Sequence, residues 1–270
     1  MVVFPNAKIN IGLYVTGKRQ DGFHNLETVF YPVGLSDVLE IGRGEGKPGE
    51  YEFRNTGIDV ECEAEKNLTV KAYRLLAGKY ALPALRIHLH KVIPFGAGLG
   101  GGSSDAAFML KALNAYFELH LPDQKLQEYA SDLGSDCAFF IHNHPVFAHG
   151  KGELMEDIEL SLEDYRLVLV KPPCGVSTPQ AYAGIIPHEA GFDLRNIARL
   201  PVPEWNGKIR NDFEKTVFAK YPEIACLKQR MYDLGAIYVS MTGSGSAVFG
   251  LFEKKASLHT DYPDCFVWVN

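Results

Sequence analysis

The chain has 270 residues, 46% of them apolar and 22% charged, enough for one large domain or two modest ones, each with its own hydrophobic core. Its formal net charge of −6 offers no long-range attraction for nucleic acid or an anionic lipid surface, so an anionic ligand needs a local positive site. No apolar run approaches the roughly 20 residues needed to span a bilayer, and five cysteines without a C-x-x-C pair argue against a disulfide framework or a zinc cage and suit a reducing cytoplasm.

The opening residues lack the basic and apolar regions of a signal peptide. Residues 8–16 read as a strand, 17–22 as a polar turn, and a β-rich stretch continues to about Val60 with a loop over 42–49. Leu68, Ala72, Leu75 and Leu76 recur at helical spacing and predict a helix over 67–80. Leu85, Ile87 and Leu89 alternate with Arg86, His88 and His90, the pattern of a half-buried strand over 85–92.

Residues 103–118 form a predicted helix, because Ala106, Leu110, Leu113 and Phe117 fall on one stripe. Ser103 or Ser104 is placed to cap it, with Asp105 in its first turn. A further helix follows Pro122, carrying Leu126, Tyr129, Ala130 and Leu133 on one face and ending at Gly134. The acidic, irregular stretch 152–164 is the natural boundary, giving domains of 1–155 and 156–270. Beyond it a strand is expected over 166–170 and helices near 178–186, 211–220 and 222–234. The last strands are expected over 236–241, 247–252 and 265–269. Strands and helices alternate without strict βαβ repetition, which predicts an α+β fold.

Four segments can carry chemistry. The strongest runs from Pro94 to Ala107, where Gly96, Gly98, Gly100, Gly101 and Gly102, with Ala97 and Leu99 between them, open a helix. Glycines let a ligand reach the backbone, and the free N–H groups and dipole of a helix start converge on an anion such as a phosphate. Ser103 and Ser104 add hydroxyls. A Walker A loop needs Lys-Ser/Thr after its last glycine and is excluded here. The dinucleotide spacing Gly96-x-Gly98-x-x-Gly101 matches formally, but Glu118 falls in or at the end of the helix rather than at a strand tip, which weakens that reading.

Lys8 and Asn10 share one face of the first strand while Ile9 and Ile11 face the core, an arrangement that suits a site or a strand-end lysine reaching water. Asp136 is expected at a helix start, either as a general base or as a first-turn carboxylate. Thr242, Gly243, Ser244 and Gly245 form a second small-residue loop between strands, long for a hairpin turn. His88-x-His90 and His142, His144 and His149 lack carboxylate or cysteine partners at a metal-binding spacing, and no metal site is assigned.

In this order the four segments resemble the GHMP kinases, a superfamily that includes galactokinase, homoserine kinase and mevalonate kinase. Within it, Ala7-Lys8-Ile9-Asn10, the stretch from Gly17 through Asp21-Gly22-Phe23-His24 to Leu26, the triple glycine before Ser103-Ser104, Leu133-Gly134-Ser135-Asp136, Ala148-His149-Gly150, Gly175-Val176-Ser177-Thr178-Pro179 up to Tyr182, and Asn211-Asp212-Phe213-Glu214 are similar to members that phosphorylate a cytidine-diphosphate-linked methylerythritol. The resemblance implies a two-domain fold with the active site in the interdomain cleft, and transfer from ATP to the 2-hydroxyl of that substrate on the non-mevalonate route to isoprenoid precursors. Mg²⁺ would arrive with the nucleotide.

On matching positions Asp136 would be the catalytic base and Lys8 would hold the carboxylate and the transferring phosphoryl group. Asn10 would contact the substrate. Phe23, His24 and Tyr182 would line the cytosine pocket, with Tyr182 stacking and His24 hydrogen-bonding. Residues 94 and 96–104 would cradle the ATP phosphates, Asn67 would lie near the nucleotide, and residues 242–246 would close the site. Phe23 stands where tyrosine is usual, and the stretch 142–145 departs from the usual glycine-containing turn.

Overall fold

A computed structural model describes residues 1–59, 62–256 and 262–270. The chain opens with β1 (Val2–Val3), β2 (Asn6–Lys18), β3 (His24–Ser36), β4 (Val38–Arg43) and β5 (Tyr51–Gly57). Then come α1 (Leu68–Tyr80), β6 (Leu85–Lys91), α2 (Gly101–Tyr116), α3 (Asp123–Leu133) and the short α4 (Phe139–His142). The remainder contains β7 (Val146–Gly150), β8 (Leu154–Asp157), β9 (Tyr165–Lys171), α5 (Thr178–Tyr182), α6 (Phe213–Lys220), α7 (Pro222–Asp233), β10 (Tyr238–Met241), β11 (Val248–Glu253) and β12 (Phe266–Val269). The mixture is α+β. Val60, where the early β stretch was expected to end, lies outside the described residues.

The described chain divides into two units built from interleaved segments. The first comprises residues 1–7, 33–94 and 100–144. Its sheet runs β1-β4-β6-β5, with β6 antiparallel to β4 and parallel to β5. Leu85, Ile87 and Leu89 are buried and Arg86 and His90 exposed, the period-2 pattern of a sheet with one covered face. α2 packs against α1, α3, α4 and β4 through Ala106, Met109, Leu110 and Leu113, all fully buried.

The start of α2 differs from the expected one. The helix begins at Gly101, its cap is Gly100 at φ +71°, and no side chain caps it. Glycine enters the left-handed region without a Cβ penalty, so the helix starts as soon as the chain leaves the loop. Ser103 and Ser104 therefore lie inside the first turn, and Asp105 lies beyond it, buried. The other end also moves, since α2 stops at Tyr116 and Glu118 adopts φ +51°.

The second unit comprises residues 8–32, 95–99 and 145–270. It carries two four-stranded sheets, β2-β3-β7-β8 and β10-β11-β9-β12. Leu13, Val15, Val168, Val170, Met231 and Val248 belong to one core cluster that also takes in Phe213 and Val217 of α6. Both faces of β2 are covered, so Lys8 and Asn10, at 4% and 3% exposed, are buried along with Ile9 and Ile11. A strand-end lysine reaching water is thereby excluded.

Three further elements differ from the sequence pattern. α5 stops at Tyr182 instead of 186, ahead of Gly184 at φ +84°. β8 lies in the stretch expected to be irregular, where pairing with β7 satisfies its backbone. α6 begins two residues late because the Asn211 side-chain oxygen accepts from Phe213 N at 3.0 Å, just ahead of the helix. Among the described residues no helix is long and apolar enough to cross a membrane.

Candidate active site

In the first unit the loop ends at the N-terminus of α2. Ser104 N donates to Gly100 O at 2.9 Å, so helical bonding begins there and the N–H groups before it have no intrahelical acceptor. The glycines here do different work. A Cβ on Gly101 would stand 2.9 Å from Ile93 Cγ2 and 3.3 Å from Lys91 Nζ, so Gly101 is required by packing inside the unit. Gly102 has room, its nearest neighbour being Leu68 Cδ1 at 3.9 Å. That contact also places the start of α1 beside the start of α2. Asn67 caps α1, its side-chain oxygen accepting from Thr69 N at 2.9 Å. Two nearby hydroxyls, Ser104 Oγ and Thr69 Oγ1, are buried with no hydrogen-bond partner, as expected where a polar ligand completes the bonding.

Asp136 belongs to the same unit. It lies in the turn over 135–138, not in the first turn of α4, which begins at Phe139. The next residue, Cys137, bonds the Ser103 side chain, bringing this turn to the first turn of α2. Burial pushes the Cys137 thiol up to about 11, so it stays protonated and unreactive near neutral pH.

The second unit holds Lys8 in a buried polar network. Lys8 Nζ donates to Asn10 Oδ1 at 2.5 Å and to Gly98 O at 3.2 Å, and lies 4.9 Å from the centre of the Phe30 ring. Asn10 Nδ2 donates to Thr28 Oγ1 at 3.0 Å, and the Thr28 hydroxyl donates to Gly12 O at 2.5 Å. Asn10 N donates to the Thr242 hydroxyl at 2.9 Å, which donates in turn to Gly98 O at 3.0 Å. Residues 8, 10, 98 and 242 are thus brought together, so the two glycine segments belong to one structure. The loop over 242–247 is the hairpin connection of β10 and β11, and it also packs on residues 95–99.

Sequence reasoning singled out the segment 211–214 by resemblance but missed its role, which is to hold that hairpin. Asn211 Nδ2 donates to Met241 O and Gly243 O, both at 2.8 Å. Glu214 Oε1 accepts from Met241 N at 2.9 Å while its other oxygen pairs with Lys228 at 2.7 Å. Thr28 was missed as well. The available signal was a short polar side chain inside an apolar strand, which must find a partner when buried.

His24 and Tyr182 stack, ring centres 4.8 Å apart and planes 21° from parallel, and Tyr182 meets Phe213 edge-on at 4.7 Å. Phe23 is 60% exposed, with the Lys151 ammonium 5.3 Å above its ring. The His88-x-His90 pair has a local partner in the first unit, where the Thr56 hydroxyl lies 2.9 Å from a ring nitrogen of each.

Residues 67–144 match the family model of the GHMP kinases N terminal domain, and residues 197–260 that of the GHMP kinases C terminal domain. The chain is 53% identical to a 4-diphosphocytidyl-2-C-methyl-D-erythritol kinase of Bacteroides fragilis over 98% of each chain. It is 50% identical to the enzyme of the same name from Parabacteroides distasonis, over 99% of this chain and 98% of the relative. A crystal structure of 4-(cytidine 5'-diphospho)-2C-methyl-D-erythritol kinase superposes with a TM-score of 0.78 at 34% identity, covering 93% of this chain and 90% of the other. The chain belongs to the GHMP kinases, in the family of the 4-diphosphocytidyl-2-C-methyl-D-erythritol kinases.

Proposed function

We propose that this ATP-dependent kinase phosphorylates the 2-hydroxyl of 4-(cytidine 5'-diphospho)-2-C-methyl-D-erythritol on the non-mevalonate route to isoprenoid precursors. The observation that carries the choice of acceptor is the parallel His24–Tyr182 pair, a flat platform suited to a nucleobase and of no use to a short linear acceptor such as homoserine. Tyr182 and Phe23 would offer aromatic faces to the cytosine, and His24 a hydrogen bond to its edge.

Each catalytic role rests on the family resemblance and on the residue's setting in its own unit. Phosphoryl transfer asks the protein mainly for positioning and for stabilisation of spreading negative charge. Lys8 supplies such a charge, its ammonium oriented by Asn10 and by the Gly98 carbonyl. Asp136 would accept the hydroxyl proton, and Asn10 would contact the substrate close to that hydroxyl. The N-terminus of α2, with residues 94 and 96–104, would hold the phosphates, and Asn67 would lie near the nucleotide. Residues 242–245 would close over the bound substrates. Magnesium would enter with ATP, bound to its phosphates, and no protein ligand is assigned to it. Five free cysteines agree with work in a reducing cytoplasm.

Two measurements test this. Turnover of ATP with the cytidine substrate should greatly exceed turnover with homoserine, and activity on homoserine alone would sink the acceptor assignment. Asp136→Asn should lower kcat by about 10²–10⁴-fold with ATP affinity unchanged. Unchanged kcat removes Asp136 from the base role.

A further inference from the structure

Three charged side chains are buried together in the first unit. Lys91 at the end of β6, Asp37 between β3 and β4, and Asp105 in the second turn of α2 are 1%, 0% and 2% exposed. Lys91 Nζ donates to Asp37 Oδ2 and, at 2.7 Å, to Asp105 Oδ2. The same ammonium lies 3.3 Å from the place a Cβ on Gly101 would take, against the first residue of α2. The cluster therefore sits at the helix start assigned to the ATP phosphates.

The two carboxylates are not equivalent. Asp37 Oδ1 accepts from Val92 N at 2.6 Å and Ile93 N at 2.9 Å, and Oδ2 from Lys91, so both of its oxygens are bonded. Asp105 Oδ1 is buried with no partner. With all three groups ionised the cluster would carry one net negative charge out of water, a state strongly opposed by a low-dielectric interior. A single proton removes it, and Asp105 has the oxygen available to carry it, since both Asp37 oxygens already accept hydrogen bonds and Asp105 Oδ1 accepts none.

We propose that Asp105 is a positioning residue that acts in its neutral form, keeping the start of α2 electropositive for the ATP phosphates, and that losing its proton in alkaline solution weakens nucleotide binding. The inference rests on the phosphate-loop assignment above. When the proton leaves to solvent, a negative charge appears one turn into the helix and opposes the positive end of its dipole. Burial pushes the Asp105 carboxyl up to about 8; the Lys91 ammonium opposes this and the Asp37 carboxylate adds to it. Lys91 from β6 and Asp37 from the β3–β4 junction are the charged groups facing Asp105. On the other elements packed against α2, Lys71, Arg74 and Lys79 of α1, Glu128 and Asp132 of α3, His142 of α4, and Glu40 and Arg43 of β4 are exposed.

The test is calorimetric binding of a non-hydrolysable ATP analogue with magnesium, from pH 6.5 to 9.5, to the whole chain. The wild-type Kd should rise about tenfold between pH 7 and pH 9, following the fraction of neutral Asp105. For Asp105→Asn, neutral at every pH and still able to accept from Lys91, it should stay flat. Steady-state assays should place the wild-type change in KM for ATP, with kcat at saturating ATP little altered. A flat wild-type profile, or the same alkaline weakening in Asp105→Asn, overturns the proposal. If the variant does not fold, proton exchange decides. Wild-type binding near pH 8, compared in buffers of different ionisation enthalpy, should take up about half a proton per site, because half of the free protein is already protonated there, and absence of uptake overturns the idea. Failure to bind at pH 7 removes the phosphate-loop assignment and this inference together, whereas pH-independent binding removes only the latter.

Discussion

The Thr242 hydroxyl donates to the Gly98 carbonyl at 3.0 Å, and the Thr242 carbonyl stands where a side chain on Gly98 would begin. Two glycine-rich segments far apart in sequence are fitted backbone to backbone. Ser246 N to Gly96 O at 3.0 Å and Ala247 N to Ala97 O at 3.3 Å complete the fit. Gly98 also has φ +73°, so an alanine there meets both strain and a backbone atom that cannot turn aside. Gly98→Ala should destabilise the protein by about 2–4 kcal/mol and cut kcat with it. Thr242→Val should cost about 1–3 kcal/mol, because Asn10 N loses its acceptor in a buried place. Thermal melts beside activity assays check both, and a Gly98→Ala protein with the wild-type Tm would refute the fit.

Gly101 and Gly102 separate folding from binding. A valine at 101 must push into Ile93 and the Lys91 ammonium, so its effect is on Tm, and any loss of ATP binding follows from damage to the unit. The Cβ of a valine at 102 meets only Leu68, at van der Waals distance, and the substitution changes helix propensity little. Gly102→Val should therefore keep Tm within a few degrees while raising KM for ATP about tenfold or more, since its side chain covers N–H groups at the helix start. Unchanged KM in a folded Gly102→Val protein would move the phosphates away from this turn.

Periodicity made the sequence legible where one face of an element is buried. Leu85, Ile87 and Leu89 announced β6, and the stripe through Leu110 and Leu113 announced α2. The failures come from local backbone conformation and from polar contacts, neither of which an apolar pattern reports. α2 starts early because Gly100 takes a left-handed conformation, which no apolar pattern reports. α6 starts late because Asn211 spends its side chain on Phe213 and on the hairpin. Lys8 looked able to reach water, but with β3 beside β2 it lies among Asn10, Phe30 and Gly98. Asn10, His24, Tyr182 and Thr242 were singled out through motif order, and their roles stand as proposals, whereas Thr28 and Glu214 act only through partners that folding brings to them.

The aromatic platform predicts a selective effect. His24 stacks on Tyr182, while Tyr182 also packs on Phe213, which belongs to the second unit's core. Removing Tyr182 would mix substrate binding with stability, so His24 is the cleaner probe. His24→Ala should raise KM for the cytidine substrate by about tenfold, in keeping with about 1–3 kcal/mol for a lost aromatic contact and a hydrogen bond, and leave KM for ATP unchanged. Equal effects on both substrates would show that His24 shapes the unit as a whole. A free cytidine diphosphate competitor should weaken in parallel with the substrate, because it carries the same base.

Asp105 should also give stability a pH dependence of definite sign. Its carboxyl titrates near 4 in an unfolded chain and at about 8 in the folded protein, raised first by burial. Between these values the folded state keeps a proton that the unfolded state has released. The stabilising contribution is therefore fully present below about pH 4 and is lost as pH rises towards about 8. Asp105→Asn cannot titrate, so its Tm relative to wild type should increase steadily from pH 5 to pH 8, as read from parallel melts. A constant difference would mean that Asp105 is ionised in the folded protein, with both carboxylates charged around one ammonium. Lys91→Met should act oppositely at every pH, since it leaves two buried acids without their shared cation at a cost of about 3–5 kcal/mol. Combining it with Asp105→Asn should add little further change near pH 7, because Asp105 is already neutral there and both variants leave the Asp37 carboxylate as the one buried charge.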